Sequence, residues 1–309
     1  MEDEYQVLEQ FCELVKNDAS NIFLPQLAVI LGAERVDSNY GVSVDAKILL
    51  EDDLFLGHLL LRSPESSIEL LSKALLEEQT RLLQHEELCV AITLKTGRVP
   101  TYKNHVFARI KGLPGANRKA NVSAIRSEDA NRFIQVSGTV TRSGMVRVLE
   151  AERRFVCNND QCSHVIAVYS SKYESGGIIE KPSGPCPSCK RSSSYTESKK
   201  DTICHDYQEI RVQEQVQKLG MGSIPRSIGV ILLHDLVDSC KAGDDVVVTG
   251  IPFHRWSRIT LGERCNLETV IDANTVHVLN TANHGAVLSD EKKQYFQDFW
   301  SYWNAQAKK

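Results

Sequence analysis

The chain has 309 residues, 42% of them hydrophobic and 25% charged, an ordinary globular composition long enough for two or three domains. It holds no apolar run of about 18 residues, so nothing reads as a membrane span. Its acidic start, Met1-Glu2-Asp3-Glu4, lacks the basic-then-apolar order of a secretory signal. The net charge of −4 taken alone argues against a polyanionic partner, but it is an average: residues 1–90 carry 18 Asp/Glu against 6 Lys/Arg (−12), and the remainder carries 22 against 30 (+8). A basic surface therefore belongs to the second part.

In chain order, residues 1–104 read as mostly helical. Val7, Leu8, Phe11, Leu14 and Val15 recur at helical spacing. Ser63-Pro64-Glu65 predicts a helix start, with a capping hydroxyl, proline in the first turn and an acid at the positive end. Ile68, Leu71, Leu75 and Leu82 give the helix one apolar face. Lys95–Pro100 reads as a connector. From about residue 105 the pattern changes to short strands: His105–Ile110, Phe133–Val140 with Gly138 inside it, Asp245–Ile251 and Glu268–Val278. A glycine within a strand marks a bend or bulge. Short, bent, glycine-punctuated strands predict a small closed barrel. After residue 280, Ser289-Asp290-Glu291 predicts a helix carrying Phe296, Phe299, Trp300 and Trp303, read as a lead toward a further domain.

Nine cysteines, an odd number, fit a reduced interior better than a disulfide framework. Four of them form two close pairs, Cys157/Cys162 and Cys186/Cys189, with 23 residues between the pairs. Two short turns, each offering two thiolates, suit one tetrahedral ion, and the closed quartet predicts structural zinc, one per chain. The first pair has four intervening residues instead of the usual two, which keeps His164, Cys204 and His205 open as substitute ligands. Phe155-Val156 and Val165-Ile166 read as the strands of a small ribbon around the site. No Gly-Lys dipeptide occurs, so these residues contain no Walker phosphate loop, and no nucleophile–base pair stands out.

The stretch after the cysteines is the most specific. Gln208-Glu-Ile-Arg-Val-Gln-Glu214, Ile224-Pro-Arg-Ser227, Asp235-Leu-Val-Asp-Ser-Cys240 and Lys241-Ala-Gly-Asp244 resemble motifs of the N-terminal region of minichromosome maintenance (MCM) helicases, as does Val136–Arg142. Within that family Asp206-Tyr-Gln-Glu209, Glu214-Gln-Val-Gln-Lys218 and Lys241–Asp244 are most similar to the ninth, repair-type branch, whose partner is the eighth. The resemblance implies an α+β chain: a helical bundle over 1–104, an oligonucleotide-binding (OB) barrel over 105–148 and 205–281, a zinc-ribbon insertion over 149–204, and 282–309 leading to an ATPase (AAA+) domain outside this sequence. Only that domain would use ATP and Mg2+.

It further implies a nuclear, ring-forming helicase subunit acting in homologous recombination and crosslink repair. Its partners would be single- and double-stranded DNA and the eighth-member subunit or copies of itself. Arg255, Trp256, Arg258 and Arg264 fall where the family has a channel-lining hairpin, for phosphate contact and base stacking. Arg142 and Arg147 would line a single-strand path, and Arg226 would relay DNA contact to the motor. Two alternatives stand beside this: an assembly module with weak DNA contact, favoured by the overall acidity, and the same region of a replicative paralogue. A zinc enzyme is disfavoured by the closed quartet.

Overall fold

The computed structural model describes residues 2–280 apart from 17–22, 53, 160, 171–178, 180, 191–194, 216, 218–221, 223, 257–261 and 263–266. The helix predicted after Ser289, Arg258 and Arg264 therefore lie outside the described residues. No helix among those described is long and apolar enough to cross a membrane.

The N-terminal part contains α1 (Glu2–Lys16), α2 (Phe23–Leu31), β1 (Asn39–Asp45), α3 (Ala46–Asp52), α4 (Leu54–Arg62), α5 (Pro64–Gln84) and α6 (Glu86–Thr96). The helical spacing found in the sequence is the packing seen here. Phe11 and Val15 of α1 and Leu71, Leu75 and Leu82 of α5 are buried in one core, with Val7, Leu8, Leu14 and Ile68 against it. The start of α5 differs in one respect. Ser63 sits at the N-cap and Pro64 in the first turn, but the Ser63 side chain makes no capping bond; its carbonyl instead accepts from Ser67 Oγ at 2.8 Å. The connector begins two residues later than expected: Lys95 and Thr96 still belong to α6, and Gly97 closes it in the left-handed region at φ 71°, where glycine carries no Cβ penalty.

The strand β1 was hidden in the helical reading. It pairs in parallel with β2 (His105–Lys111), from Asn39↔His105 to Asp45↔Lys111. The alternation of His105–Ile110 thus does make a strand, but one that joins the helical core through Val106, Ala108 and Ile110. A two-stranded sheet leaves backbone groups open along both edges, and here each edge is capped by a carboxamide. Gln26 donates to Ser43 O (2.9 Å) and accepts from Ser43 N–H (2.8 Å) on the β1 side. Asn274 accepts from Ile110 N–H (2.7 Å) and donates to Ala108 O (2.8 Å) on the β2 side. A satisfied bond is worth about 1 kcal/mol net, but a buried amide left open costs about 1–3 kcal/mol, so both carboxamides are structural necessities.

The remaining strands are β3 (Arg118–Lys119), β4 (Ile134–Ser143), β5 (Arg147–Cys157), β6 (Val165–Tyr169), β7 (Tyr195–Gln213), β8 (Ser227–Leu233), β9 (Asp245–Trp256) and β10 (Leu267–Val278). Their ladders make a closed circuit: β4 with β9, β9 with β10, β10 with β8, β8 with β7, and β7 back to β4. Closure needs a bend, and Gly138 supplies it. There β4 passes from β9 (Ile134–Thr139) to β7 (Thr139–Ser143), and a Cβ at 138 would collide with the Gln213 carbonyl. Ile134, Val136, Val140, Ile210, Val212, Val230, Val246, Val248 and Ile271 fill the inside. Beyond the circuit, β7 and β5 continue together, with β6 on the outer edge of β5.

The two parts meet at β2. Asn274 reaches it from an irregularity in the β9/β10 ladder between Ala273 and Thr275. The Arg109 guanidinium grips both oxygens of Asp235 and donates to Asn274 O at 3.0 Å. Phe107 stacks on His234 (centroids 4.2 Å apart), which meets His205 edge-on at 4.5 Å.

Burial pushes His234 down to about 4, with the neighbouring positive charge of His205 and Arg109 working the same way and Asp235 opposing it. The folded chain therefore holds this ring neutral. Stability from it is complete above the unfolded histidine value of about 6.5 and is lost as pH falls toward about 4. Melting of the wild type is expected to drop over that window, and His234→Phe to flatten the drop. An identical pH profile in the variant would contradict this.

Candidate nucleic-acid interface and metal centre

The metal centre forms at the far end of the β5/β7 extension. Phe155 and Val156 of β5 pair with Ile166 and Val165 of β6, the ribbon expected from the sequence. Cys157 closes β5, and its N–H bonds His164 O at 2.9 Å. The wide first turn is held by Asn159, whose carbonyl accepts from Cys162 N–H at 2.8 Å. In the second turn Lys190 N–H returns to Cys186 O at 2.8 Å. Each turn ends on a left-handed residue directly after its second cysteine, Ser163 (φ 44°) and Lys190 (φ 53°), which swings the chain away and leaves both sulphurs facing inward. Phe155, Ile179 and Tyr195 bury the cluster.

The sulphurs of Cys157, Cys162, Cys186 and Cys189 lie within 4.8 Å of one another, with Cys162 and Cys186 3.8 Å apart. Four thiolates around one tetrahedral ion at a bond length of about 2.3 Å stand about 3.8 Å apart, so the donor set fits a metal ion. Backbone N–H groups of Cys189 and Ser188 bond the Cys186 sulphur and favour its thiolate, but burial and the neighbouring Cys162 and Cys189 thiols outweigh them and push the metal-free thiol up. The substitute ligands fall elsewhere. His164 is exposed and contributes its carbonyl, Cys204 is exposed on β7 opposite Glu150, and His205 packs on His234.

The second constellation grows from the inner and outer faces of β7. Gln208, Ile210 and Val212 point inward and are buried, as is Glu214 just past the strand end, while Tyr207, Glu209 and Arg211 point outward. The two inward polar residues are anchors. Gln208 donates to Ser143 Oγ, Gly144 O and Asp238 Oδ1 (3.0–3.2 Å) and accepts from Asp238 N–H at 2.8 Å. Glu214 accepts from Ser123 N–H and Oγ and from Arg226 N–H. Burial works to raise the Glu214 carboxyl, but the hydrogen bonds from Arg226 and Ser123 outweigh it and hold it below the ordinary range. The backbone of Ile224–Ser227 is thereby tied to the end of β7. The Arg226 side chain itself is exposed.

The outward residues line a hollow of about 240 Å³ together with Arg142, Gly144, Met145 and Arg147. Arg142 and Arg147, both exposed, are thus brought together across the Ser143-Gly144 turn, and Arg211 stands beside them, its half-exposed guanidinium bonded to Glu268 at 3.1 Å in a surface pair that water screens. Arg211 was missed in the sequence, although the period-two alternation of Tyr207–Gln213 is the signal that places it outward. Among the described residues no carboxylate pairs with Arg142 or Arg147.

Arg255 departs from its expectation. Its side chain is 12% exposed and bonds Glu209 at 3.0 Å and Glu268 at 3.1 Å. Burial opposes its charge, yet the bonds to those two carboxylates win and raise its affinity for the proton further. A guanidinium gripped this way is a strut of the sheet surface and not an open phosphate ligand, so the phosphate-contact role expected for Arg255 is corrected. Burial likewise disfavours ionised Glu209, and Arg255 restores it to a low-titrating carboxylate. Arg255 thereby cancels the one anion inside the hollow. Trp256, the next residue, is 45% exposed and ends β9, where it pairs with Leu267 of β10. β9 and β10 therefore form the antiparallel pair expected there, with Trp256 exposed at the last described rung, Trp256↔Leu267.

Comparison with known proteins agrees with this geometry. Residues 121–255 match the MCM OB domain. The chain carries an MCM OB domain. It is 33% identical over 274 residues to a protein named Probable DNA helicase MCM9 from Oryza sativa subsp. indica, a match covering 85% of this chain and 39% of that protein. A protein of the same name from Arabidopsis thaliana is 37% identical over 184 residues, covering 59% and 28%. The DNA replication licensing factor mcm2 of Xenopus laevis is 32% identical over 146 residues, covering 47% and 16%. The chain thus spans well under half the length of these relatives, and it resembles MCM9-named helicases over most of its own length.

Titration of the reduced, metal-free chain with Co2+ is expected to saturate at one equivalent, with the intense thiolate charge-transfer absorption of a four-sulphur site. Saturation below about half an equivalent, or a spectrum unchanged by Cys162→Ser, would contradict the quartet.

Proposed function

We propose that this chain is the DNA-gripping and ring-assembling region of an MCM-family helicase subunit, of the repair type that serves homologous recombination and crosslink repair. The observation that carries the reading is the hollow on the closed strand circuit, where Arg142, Arg147 and Arg211 converge while Arg255 silences Glu209. Three guanidiniums around a shallow polar hollow suit the phosphates of a strand passing over the sheet, with affinity but little sequence choice. Trp256, exposed at the hairpin, offers a stacking face to an unpaired base. Arg258 and Arg264, which lie outside the described residues, are assigned to further phosphate contact by the family resemblance alone. The names of the relatives support a parent helicase, whose ATP and Mg2+ chemistry would belong to a motor outside these residues.

The four cysteines hold structural zinc in this reading. With all four positions taken by protein thiolates, no site is open for water, so the ion's contribution is to fix the ribbon at the tip of β5 and β7. The ribbon and the helical part, as separate bodies flanking the barrel region, are the surfaces for neighbouring subunits, either an eighth-member partner or further copies of the chain. Arg226 acts as a relay toward the motor because Glu214 clamps its backbone to the strand that carries Arg211. A nuclear location follows from this function.

The double variant Arg142→Glu/Arg211→Glu is expected to weaken single-strand binding at low salt by at least about tenfold in fluorescence polarisation, with little change in melting temperature, since both side chains are exposed. Arg255→Met is expected to lower stability by up to about 1 kcal/mol, because Glu209 loses its guanidinium partner while half-exposed Glu268 keeps Arg211. Unchanged affinity in the double variant would sink the proposal; unchanged stability in Arg255→Met would restore Arg255 as a free ligand.

A further inference from the structure

Helix α6 does not match its surroundings. Its sequence, Glu86-Glu-Leu-Cys-Val-Ala-Ile-Thr-Leu-Lys-Thr96, is apolar on all sides between its acidic start and basic end. A helix of that kind is normally buried all round, yet only Ile92 is buried here. Leu88, Val90 and Leu94 are exposed, Leu94 at 82%. Across from α6, Val29 of α2 is also exposed at 61%. Between them runs a groove of about 460 Å³ whose lining includes Leu24, Val29, Leu82, Leu88 and Ile92, with Lys95 as its one charged member among the described residues. That volume lies within the usual range for a binding cleft, and an apolar cleft between helices suits the apolar face of an amphipathic helix.

Charge selects among occupants. The groove lies in the part of the chain whose first 90 residues carry −12. Exposed Glu86 and Glu87 stand at the start of α6, and exposed Glu34, bonded to Arg98 at 3.3 Å, stands where α2 and α6 end. A second copy would set −12 against −12, and an anionic lipid or nucleic-acid surface would be repelled likewise. We propose that the groove between α2, α5 and α6 receives a helix from a partner protein whose apolar stripe is flanked by lysine or arginine. The apolar stripe fills the trough, and the basic flanks answer Glu86 and Glu87 at the start of α6 and lie away from Lys95 at its end. This docking face is independent of the arginine hollow, so the two readings stand or fall separately.

The test uses a labelled peptide of about 18 residues, long enough to hold a helix, with leucines at helical spacing and lysines on the remaining face, and a twin with glutamates in place of the lysines. Binding to the full chain is read by polarisation at moderate salt. The basic peptide is expected to bind saturably, the acidic twin at least about tenfold more weakly, and Val29→Glu and Leu88→Glu to weaken the basic peptide by a similar factor. Both substituted side chains are exposed, so an unchanged melting curve is expected to accompany the loss. Arg142→Glu/Arg211→Glu is expected to leave peptide binding intact. No saturable binding below about 1 mM, equal binding of both peptides, or unchanged binding to the groove variants would overturn the proposal. So would a wild-type dimer in sedimentation that Val29→Glu converts to monomer, since a second copy would then be the occupant.

Discussion

Everything on the barrel side depends on one strand keeping its two faces apart. From Tyr207 to Glu214, β7 and the residue after it alternate inward and outward. Because the side-chain period of a strand is two, a slip of one residue would exchange the sets. Register is therefore pinned twice by buried polar side chains. Gln208 locks one end to the Ser143-Gly144 turn and to Asp238, and Glu214 locks the other to Ser123 and Arg226. Each anchor is buried and multiply bonded, so losing it would strand several groups at about 1–3 kcal/mol apiece. With register fixed, Arg211 must face outward beside Arg142 and Arg147, and Glu209 must meet Arg255. The same strand runs on to Tyr195 in the cysteine cluster, so the cysteine quartet and the hollow are joined by one strand.

A second constraint joins the helical part to the barrel. Asn274 leaves its own ladder to act as a missing strand beside β2, while Arg109 and Asp235 close the same seam with a bidentate pair. These are directional bonds between parts whose separate cores are apolar. Directional bonds set an angle between bodies, which apolar packing alone does less sharply. His234, held neutral within this seam, makes its integrity depend on acid.

Much of this was legible in the sequence, for reasons that differ by element. The helical faces of α1 and α5 show because one buried stripe produces a period that a short window resolves. The quartet shows because metal geometry restricts thiolate spacing more tightly than packing restricts any apolar residue. β1 was lost because Val42 and Val44 are its only buried members, too few to stand out between helices. Arg255 was read as open because its sequence neighbours say nothing of Glu209, 46 positions earlier, or of Glu268 across the hairpin. Arg211, Gln208, Glu214 and Asn274 were invisible for the same reason: their roles are set by partners distant in the chain. The sequence therefore picked out Arg142 and Arg147, which the fold brings together, but read Arg255 as open where two carboxylates hold it.

Salt dependence of single-strand affinity tests the central claim most directly, because an interface of phosphates and arginines must release counterions. If Arg142, Arg147 and Arg211 meet three phosphates, log K should fall against log salt with a slope of about −2, at roughly −0.7 per phosphate. Arg211→Ala should reduce that slope by about 0.7, and Arg226→Ala, whose backbone alone is clamped, should leave it unchanged. A slope near zero, or one that Arg211→Ala does not alter, would contradict the account.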